Sequence, residues 1–411
     1  MDIYAKYGVT RRINAAGTLT RLGGSLMAPE VLEAMRAAAG ASIDIAELQA
    51  AAGRVIARAT GAEAGMVTSG AAAGLTLAAA ACMTGWDVAR MEALPDTAGF
   101  PNEVLMIRTH RNAYDHAIRA AGARIVDIGN NDRGTGAGVR GIEAWEIEAA
   151  IGPRSVAFAF AATPQTRADL PTVVQVCRRH GLKVIVDAAA QLPPKDNLRA
   201  FIAMGADLVV FSGGKAIAGP QSSGILAGRR DLIGAALVQL IDMDVTPETW
   251  APPAPIDRKR LTGVPNHGLG RGFKVGKEEI VGLMVALERF VGADDQAKNA
   301  AFAKRLEAIG ARLSRIAGLR ATLVPAAQTG RVPLLEIAID RARVGFGAVE
   351  FSRRLQAGSP PVHLGERRAV DDILLVDPST LRADDDAALA AAVAAVAASR
   401  KARTSARSRR S

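Results

Sequence analysis

From about residue 55 to 240 the chain repeats one alternation: a short run of aliphatic and β-branched residues, then a stretch with helical spacing. The runs are VLMIR (104–108), RIVDI (124–128), SVAFAF (155–160), KVIVD (183–187), DLVVF (207–211) and SGILAG (223–228). Strands that are apolar throughout must be covered on both faces, and intervening helices are what join parallel strands. The pattern therefore predicts an α/β domain on a mostly parallel sheet.

The alternation breaks between residues 242 and 276, where Pro247, Pro252, Pro253, Pro255 and Pro265 precede the basic segment GRGFKVGKEE. Irregular loops of that length inside compact proteins are usually functional or form interface arms. A helix is predicted over 277–291, followed by strands in LRATLVP and VPLLEIAID and helices near 347–357 and 384–398. Asp384, Asp385 and Asp386 sit where a helix N-terminus favours negative charge. The predicted organisation is an N-terminal segment contributing to the active site (1–50), a large domain (51–294), a smaller α+β domain (295–399) and a disordered basic tail (400–411).

With 411 residues, 49% hydrophobic and 22% charged, the chain has ordinary globular composition, which excludes wholesale disorder. Aromatics at 4% leave aliphatic side chains and Ala to fill the core. The net charge of +10 owes six of its charges to Arg400, Lys401, Arg403, Arg407, Arg409 and Arg410, leaving +4 for the first 399 residues. The body is thus not a basic surface, and nucleic acid is not an expected partner. Cys82 and Cys177 are too few for a disulfide framework and lie in apolar, helix-like stretches, so both read as core in a reducing compartment. The start MDIYAKYGVTRR has no signal-like apolar region, and the stretch 71–83 is too short and Ala-rich to span a bilayer. A cytoplasmic protein with no membrane partner is expected.

The chemistry concentrates in DLVVFSGGKAIAGPQSSGILAG, where an apolar strand ends in Ser212, Gly213, Gly214 and Lys215. A lysine at the C-terminal mouth of an α/β sheet stands where such sheets bind ligands. The strand KVIVD ends in Asp187, 28 residues earlier. Such a pair supplies what pyridoxal phosphate needs: an amine for a Schiff base with its aldehyde, and a carboxylate to keep its pyridinium nitrogen protonated. On spacing alone the pair is also compatible with a surface lysine and a strand-end cap, both common in α/β folds. Upstream, Thr68, Ser69, Gly70 and Ala71 lead into an Ala-rich helix, whose N-terminus can take a phosphate, with Ser69 adding a hydroxyl donor. Small residues there also simply cap helices.

These segments carry a resemblance. INAAGTLTRLGG (13–24), DIAELQAAAGRVIARATGAEAGMVTSGAAAGL (44–75), GLKVIVDAAAQLP (181–193), FSGGKAIAGPQSSGILAGRRDLI (211–233) and GRGFKVGKEEIVGLMVALE (270–288) resemble the fold-type I pyridoxal phosphate enzymes. The similar branch holds bacterial selenocysteine synthase and D-glucosaminate-6-phosphate ammonia-lyase. The resemblance implies a mostly parallel, seven-stranded type of sheet with a smaller C-terminal α+β domain. It makes Lys215 the Schiff-base lysine and catalytic residue, Asp187 the pyridinium partner, Ser69, Gly70 and Ala71 the phosphate cup, and Ser212 a further phosphate contact. His110, in RTHRNAYDHA after VLMIR, falls where such enzymes stack a ring on the cofactor, although as a plain residue it would be a polar helix start. The spacing of His116, His180, His267 and His363 resembles no metal site.

The segment starting at Ile13 lacks the tRNA-associated region that precedes it in selenocysteine synthases, and Asp377, Pro378, Ser379, Thr380 and Leu381 depart from their DxRTL-like element. The resemblance therefore implies a lyase that removes water and then ammonia from a β-hydroxy amino acid or amino-sugar acid. β-Replacement, aldol cleavage, racemisation and transamination remain open, as does a binding protein that kept the fold. An anionic substrate needs cationic anchors, with guanidinium suited to bidentate contact; the candidates are Arg21, Arg271, Lys274 and Arg367 or Arg368. Each can equally be a solvated charge. By resemblance the site lies at an interface, so a homodimer or larger assembly is expected.

Overall fold

A computed structural model describes residues 3–131 and 141–399. The chain divides into two units, one formed by Leu26–Gly292 and the other by described residues 3–25 and 293–399. Strand β1 (Ile13–Ala15) belongs to the second unit.

The first unit is built on β2 (Ala64–Thr68), β3 (Glu103–Ile107), β4 (Arg124–Ile128), β5 (Ser155–Ala161), β6 (Lys183–Asp187), β7 (Leu208–Ser212) and β8 (Gly224–Gly228). They form one seven-stranded sheet in the order β2-β8-β7-β6-β5-β3-β4. The six runs read from the sequence coincide with β3 to β8 within one residue at each end. From β4 to β7 all neighbours are parallel. β8 runs antiparallel to β7 and to β2, because β7 and β8 are joined by a loop without the crossover helix that a parallel return requires.

Alternate residues of each strand enter opposite cores. Val184, Val186, Val209, Phe211, Phe158 and Phe160 pack beneath the helices Ile45–Thr60, Leu170–Arg179 and Lys277–Gly292. Ile185, Leu208, Val210, Ala157 and Ala159 face the helices Ala71–Thr84 and Arg230–Val238. The Ala-rich helix lies close to its strands: a Cβ on Gly74 would stand 3.2 Å from Val210 Cγ1. The scarce aromatics are not excluded from the core, since Phe158, Phe160, Phe201 and Phe211 are fully buried, each contributing about 1.5–3 kcal/mol of transfer free energy. Cys82 and Cys177 are free thiols; Cys177 is buried in the core, Cys82 is half-buried against it, and burial pushes both pKa values up to about 12.

In the second unit β9 (Leu319–Val324), β10 (Leu334–Ile339) and β12 (Ile373–Val376) form an antiparallel sheet in the order β12-β10-β9. β11 (Val362–Leu364) pairs in parallel with β1, Asn14 lying opposite His363. Leu306, Phe351, Leu389 and Val393 cover this core from the helices Asp295–Leu313, Ala348–Gln356 and Asp386–Ala398. β9, β10 and the last two helices match the sequence reading. β1 and β11, at three residues each, are too short to show a period. Asp384 and Asp385 end a 3-10 turn ahead of the last helix, whose Asp386 pairs with Arg305. No helix among the described residues is long and apolar enough to cross a membrane. The basic tail, 400–411, lies outside the described residues.

Candidate active site

Three strand ends meet at one glycine. Gly224, the first residue of β8, is the register partner of both Thr68 on β2 and Ser212 on β7. A Cβ on Gly224 would lie 2.5 Å from the carbonyl carbon of Gly70 and 2.8 Å from the nitrogen of Ala71. The turn from β2 into the helix Ala71–Thr84 therefore rests directly on backbone. The N–H groups of that helix's first turn have no helical carbonyl to bond and offer donors to an anion. Ser69 Oγ donates to the carbonyl of Phe273 at 2.7 Å. This fastens the Gly-rich segment beside the turn, with Lys274 next in sequence, and commits the hydroxyl proton that the sequence reading had assigned to an anion.

Beyond Ser212 the chain turns tightly. Gly213 N–H donates to Ser223 O at 2.9 Å, Gly219 N–H to Gly213 O at 2.9 Å, and Ala218 N–H to Lys215 O at 3.0 Å. A side chain on Gly214 would meet Gln221 Cα at 2.5 Å, so the returning strand can close over this loop only if that residue is glycine. Ala218 adopts a left-handed φ of 59°, an uncommon conformation for a residue with a Cβ. The loop holds Lys215 half-buried.

Asp187 ends β6, directly opposite Val210 of β7. One of its oxygens accepts the Ala189 N–H at 3.0 Å. Burial pushes the carboxyl above its ordinary range, while the Ala189 N–H and the positive charge of Lys215 oppose the rise. Asp187 and Lys215 thus share one site and feel each other's charge.

His110 follows β3 in the 3-10 turn Arg108–His110 and is only 5% exposed. Its ring meets Phe160 of β5 edge-on, with centroids 4.8 Å apart at 87°. Burial pushes its pKa down to about 4, leaving a neutral imidazole, and its Nδ1 has no hydrogen-bond partner among the described residues. Arg111 clamps the turn by pairing with Asp115 at 2.5 Å and Asp127 at 2.7 Å. Phe160 and Asp187 line one crevice with Leu75, Asn112, Tyr114 and Asp115. Phe160 and Arg111 were not singled out from sequence; the i, i+4 spacing of Arg111 and Asp115 was the only available signal.

The predicted substrate anchors are placed differently from one another. Arg271 pairs with Asp242, and Lys274 is exposed. In the second unit Arg21 is exposed, whereas Arg368 pairs with Glu336 at 2.6 Å and Asp371 at 3.4 Å. Although sequence spacing predicts no metal site, Asp242, Asp244 and His267 bring possible ligand atoms within 4.8 Å of one another. These exposed groups already bond nearby backbone: Asp242 accepts from Asp244 N–H, and His267 Nδ1 from Met243 N–H.

The residues fit pyridoxal phosphate on structural grounds. The site has a backbone cradle that a Cβ at Gly224 would fill, a buried carboxylate whose pKa is raised, a neutral imidazole whose Nδ1 lacks a partner among the described residues, and a lysine whose charge reaches the carboxylate.

Comparison with known proteins agrees. The aminotransferase class-V family model matches residues 104–241. The D-glucosaminate-6-phosphate ammonia lyase of Salmonella typhimurium is 30% identical over 398 residues, covering 95% of this chain and 96% of that protein. The 5'-C-glycyluridine monooxygenase-decarboxylase of a Streptomyces species is 30% identical over 394 residues, covering 93% and 89%. A solved structure of D-glucosaminate-6-phosphate ammonia-lyase matches with a TM-score of 0.80 at 30% identity, over 97% of this chain and 98% of that one. Sequence, sheet order and site geometry converge: the chain belongs to the aminotransferase class-V, fold-type I family of pyridoxal phosphate enzymes, in the branch of D-glucosaminate-6-phosphate ammonia lyase.

Proposed function

We propose that this enzyme is a pyridoxal phosphate-dependent lyase that eliminates water and then ammonia from a β-hydroxy amino acid or amino-sugar acid, leaving a 2-oxo acid. The observation that carries the reading is the similarity to the ammonia lyase along nearly the whole chain, with a TM-score of 0.80.

In this reading the start of the helix Ala71–Thr84, with Gly70, Ala71 and Ser212, would hold the phosphate, and neutral His110 would pack against the cofactor ring. When bound, the cofactor supplies an electron sink for the carbanion left at the substrate α-carbon. Asp187 keeps a proton on the ring nitrogen. Burial raises its pKa, and a pyridinium N–H beside it would favour the ionised form. Lys215 Nζ anchors the cofactor and then, as a free amine, takes the α-proton. Within the unit that carries Lys215, Lys274 serves as an anchor for substrate anions and Arg271 does so only by exchanging its carboxylate partner; Arg21 and Arg368 belong to the other unit. The enzyme works as a homodimer or larger assembly in the cytoplasm, a state that light scattering on the purified chain measures directly.

The test is release of ammonia and a 2-oxo acid from a panel of D- and L-hydroxy amino acids and amino-sugar acids, each with and without a terminal phosphate. Release from none of them overturns the reading. The Streptomyces relative, equally 30% identical, supports a second one. Oxygen uptake with carbon dioxide release in the same panel, without ammonia, would move the assignment to oxidative decarboxylation.

A further inference from the structure

A cavity opens in the first unit at the end of the sheet opposite Asp187 and Lys215. Because β8 runs antiparallel, its last residue, Gly228, comes level with Leu208 at the start of β7, which delivers Arg229 to the amino ends of β6 and β7. There Arg178, Lys183, Asp207 and Arg229, with Gly181 and Gly205, line one cavity of about 160 Å³. That is on the order of ten times the ~10–15 Å³ a single water requires. Lys183 and Asp187 are the two ends of β6, about 13 Å apart at the rise of a strand, so the cavity is separate from the cofactor site.

Asp207, the one acid in this lining, is bonded at both oxygens. Its Oδ2 accepts the Val184 N–H at 2.8 Å, and its Oδ1 accepts from Arg229 Nη1 at 3.1 Å. Arg229 also grips Asp231 through Nε at 3.1 Å and Nη2 at 2.7 Å, which leaves part of its five-donor fork free. Lys183 Nζ donates to Gly181 O at 2.9 Å and has no carboxylate partner among the described residues. Arg178 has neither a hydrogen-bond nor an ion-pair partner among the described residues. Its guanidinium is nevertheless placed over the chain at this spot: a Cβ on Gly205 would stand 3.2 Å from Arg178 Nη2. The lining therefore holds two cations without a carboxylate and more N–H donors than acceptors.

We propose that this cavity binds a phosphate group, held by Arg178, Lys183 and the free donors of Arg229. A phosphate dianion offers oxygens to a guanidinium fork and an ammonium at once, and its charge matches that of Arg178 and Lys183. A metal cation would instead meet three like charges and a carboxylate whose oxygens are already bonded. The phosphate is either free inorganic phosphate or that of a small phosphate monoester. The site goes beyond the lyase reading and does not depend on it.

The test is calorimetric titration of inorganic phosphate, and separately of glycerol 3-phosphate, into full-length, cofactor-loaded protein freed of excess cofactor, at constant ionic strength. Saturable binding is expected. It should weaken at least about tenfold in Arg178→Gln and in Lys183→Gln, and stay unchanged in Arg179→Gln, whose arginine lies next in the same helix and pairs with Glu148. No saturable binding of either compound, or a site that Arg178→Gln leaves unchanged, overturns the proposal. Arg178 is exposed, so this outcome does not depend on the half-buried Lys183 variant folding. Glycerol 3-phosphate binding at least as tightly as inorganic phosphate identifies a phosphate monoester as the ligand; tighter binding of inorganic phosphate identifies free phosphate.

Discussion

Asp187 and Lys215 are 28 residues apart in sequence, yet the positive charge of Lys215 acts on the Asp187 carboxylate across the ends of β6 and β7. Burial pushes that carboxyl up, and a cation beside it favours its ionised form. Asp187→Asn keeps the shape and removes the charge. Turnover should fall on the order of 10²–10³-fold with the fold intact, as measured by steady-state kinetics and circular dichroism. Full activity in this variant would remove Asp187 from the mechanism.

Lys215 should be the residue that carries the cofactor. Borohydride treatment of cofactor-loaded protein is expected to leave a covalent adduct on the peptide containing Lys215, read by mass spectrometry. Lys215→Ala should show no adduct and should lose at least about 10³-fold in turnover.

Gly224 has no room for a side chain, its Cβ position falling 2.5 Å from the Gly70 carbonyl carbon. Gly224→Ala should destabilise the protein by about 1–3 kcal/mol, because the neighbours are backbone and must move. It should also weaken cofactor binding, followed by absorbance titration. Gly272→Ala, where nothing lies within 4 Å of the added carbon, should change stability by less than about 0.5 kcal/mol.

His110 sets a pH dependence of stability. Its pKa falls from 6.5 to about 4 on folding because burial disfavours the imidazolium. The unfolded chain therefore binds the proton first. The contribution is fully present above pH 6.5 and is lost as pH falls towards 4, about 3 kcal/mol in all. Denaturant unfolding of cofactor-free protein at pH 7.5 and 4.5 should show a larger loss for wild type than for His110→Phe, which keeps a ring against Phe160 and carries no proton. Equal losses would mean that His110 is not buried as a neutral base.

The elements legible in the sequence were those with a period or a punctuation of their own. KVIVD and DLVVF are apolar at successive positions, a signature of strands buried on both faces, and they emerged as β6 and β7 within one residue. Lys215 was legible because two glycines and a serine lead into it from a strand. β1 and β11 were not, since each is three residues long and exists only by pairing with the other across some 350 residues. Phe160 looked like any core aromatic until His110 was set edge-on against it. Arg271 and Arg368 read as available cations and proved to be paired, because the carboxylates that meet them, Asp242 and Glu336, lie 29 and 32 residues away in sequence.

The sequence by itself determined the α/β class, the strand end at Asp187 and the glycine turn that leads to Lys215, because local hydrophobic period and residue type decide such features; the cofactor roles expected of those two groups came from the family resemblance. Only the tertiary structure decided that β8 runs antiparallel, that Gly224 lies between Thr68 and Ser212 on the neighbouring strands, and which charges are paired. Those outcomes depend on distances between segments far apart in the chain, which burial and backbone hydrogen bonding settle together when the sheet forms.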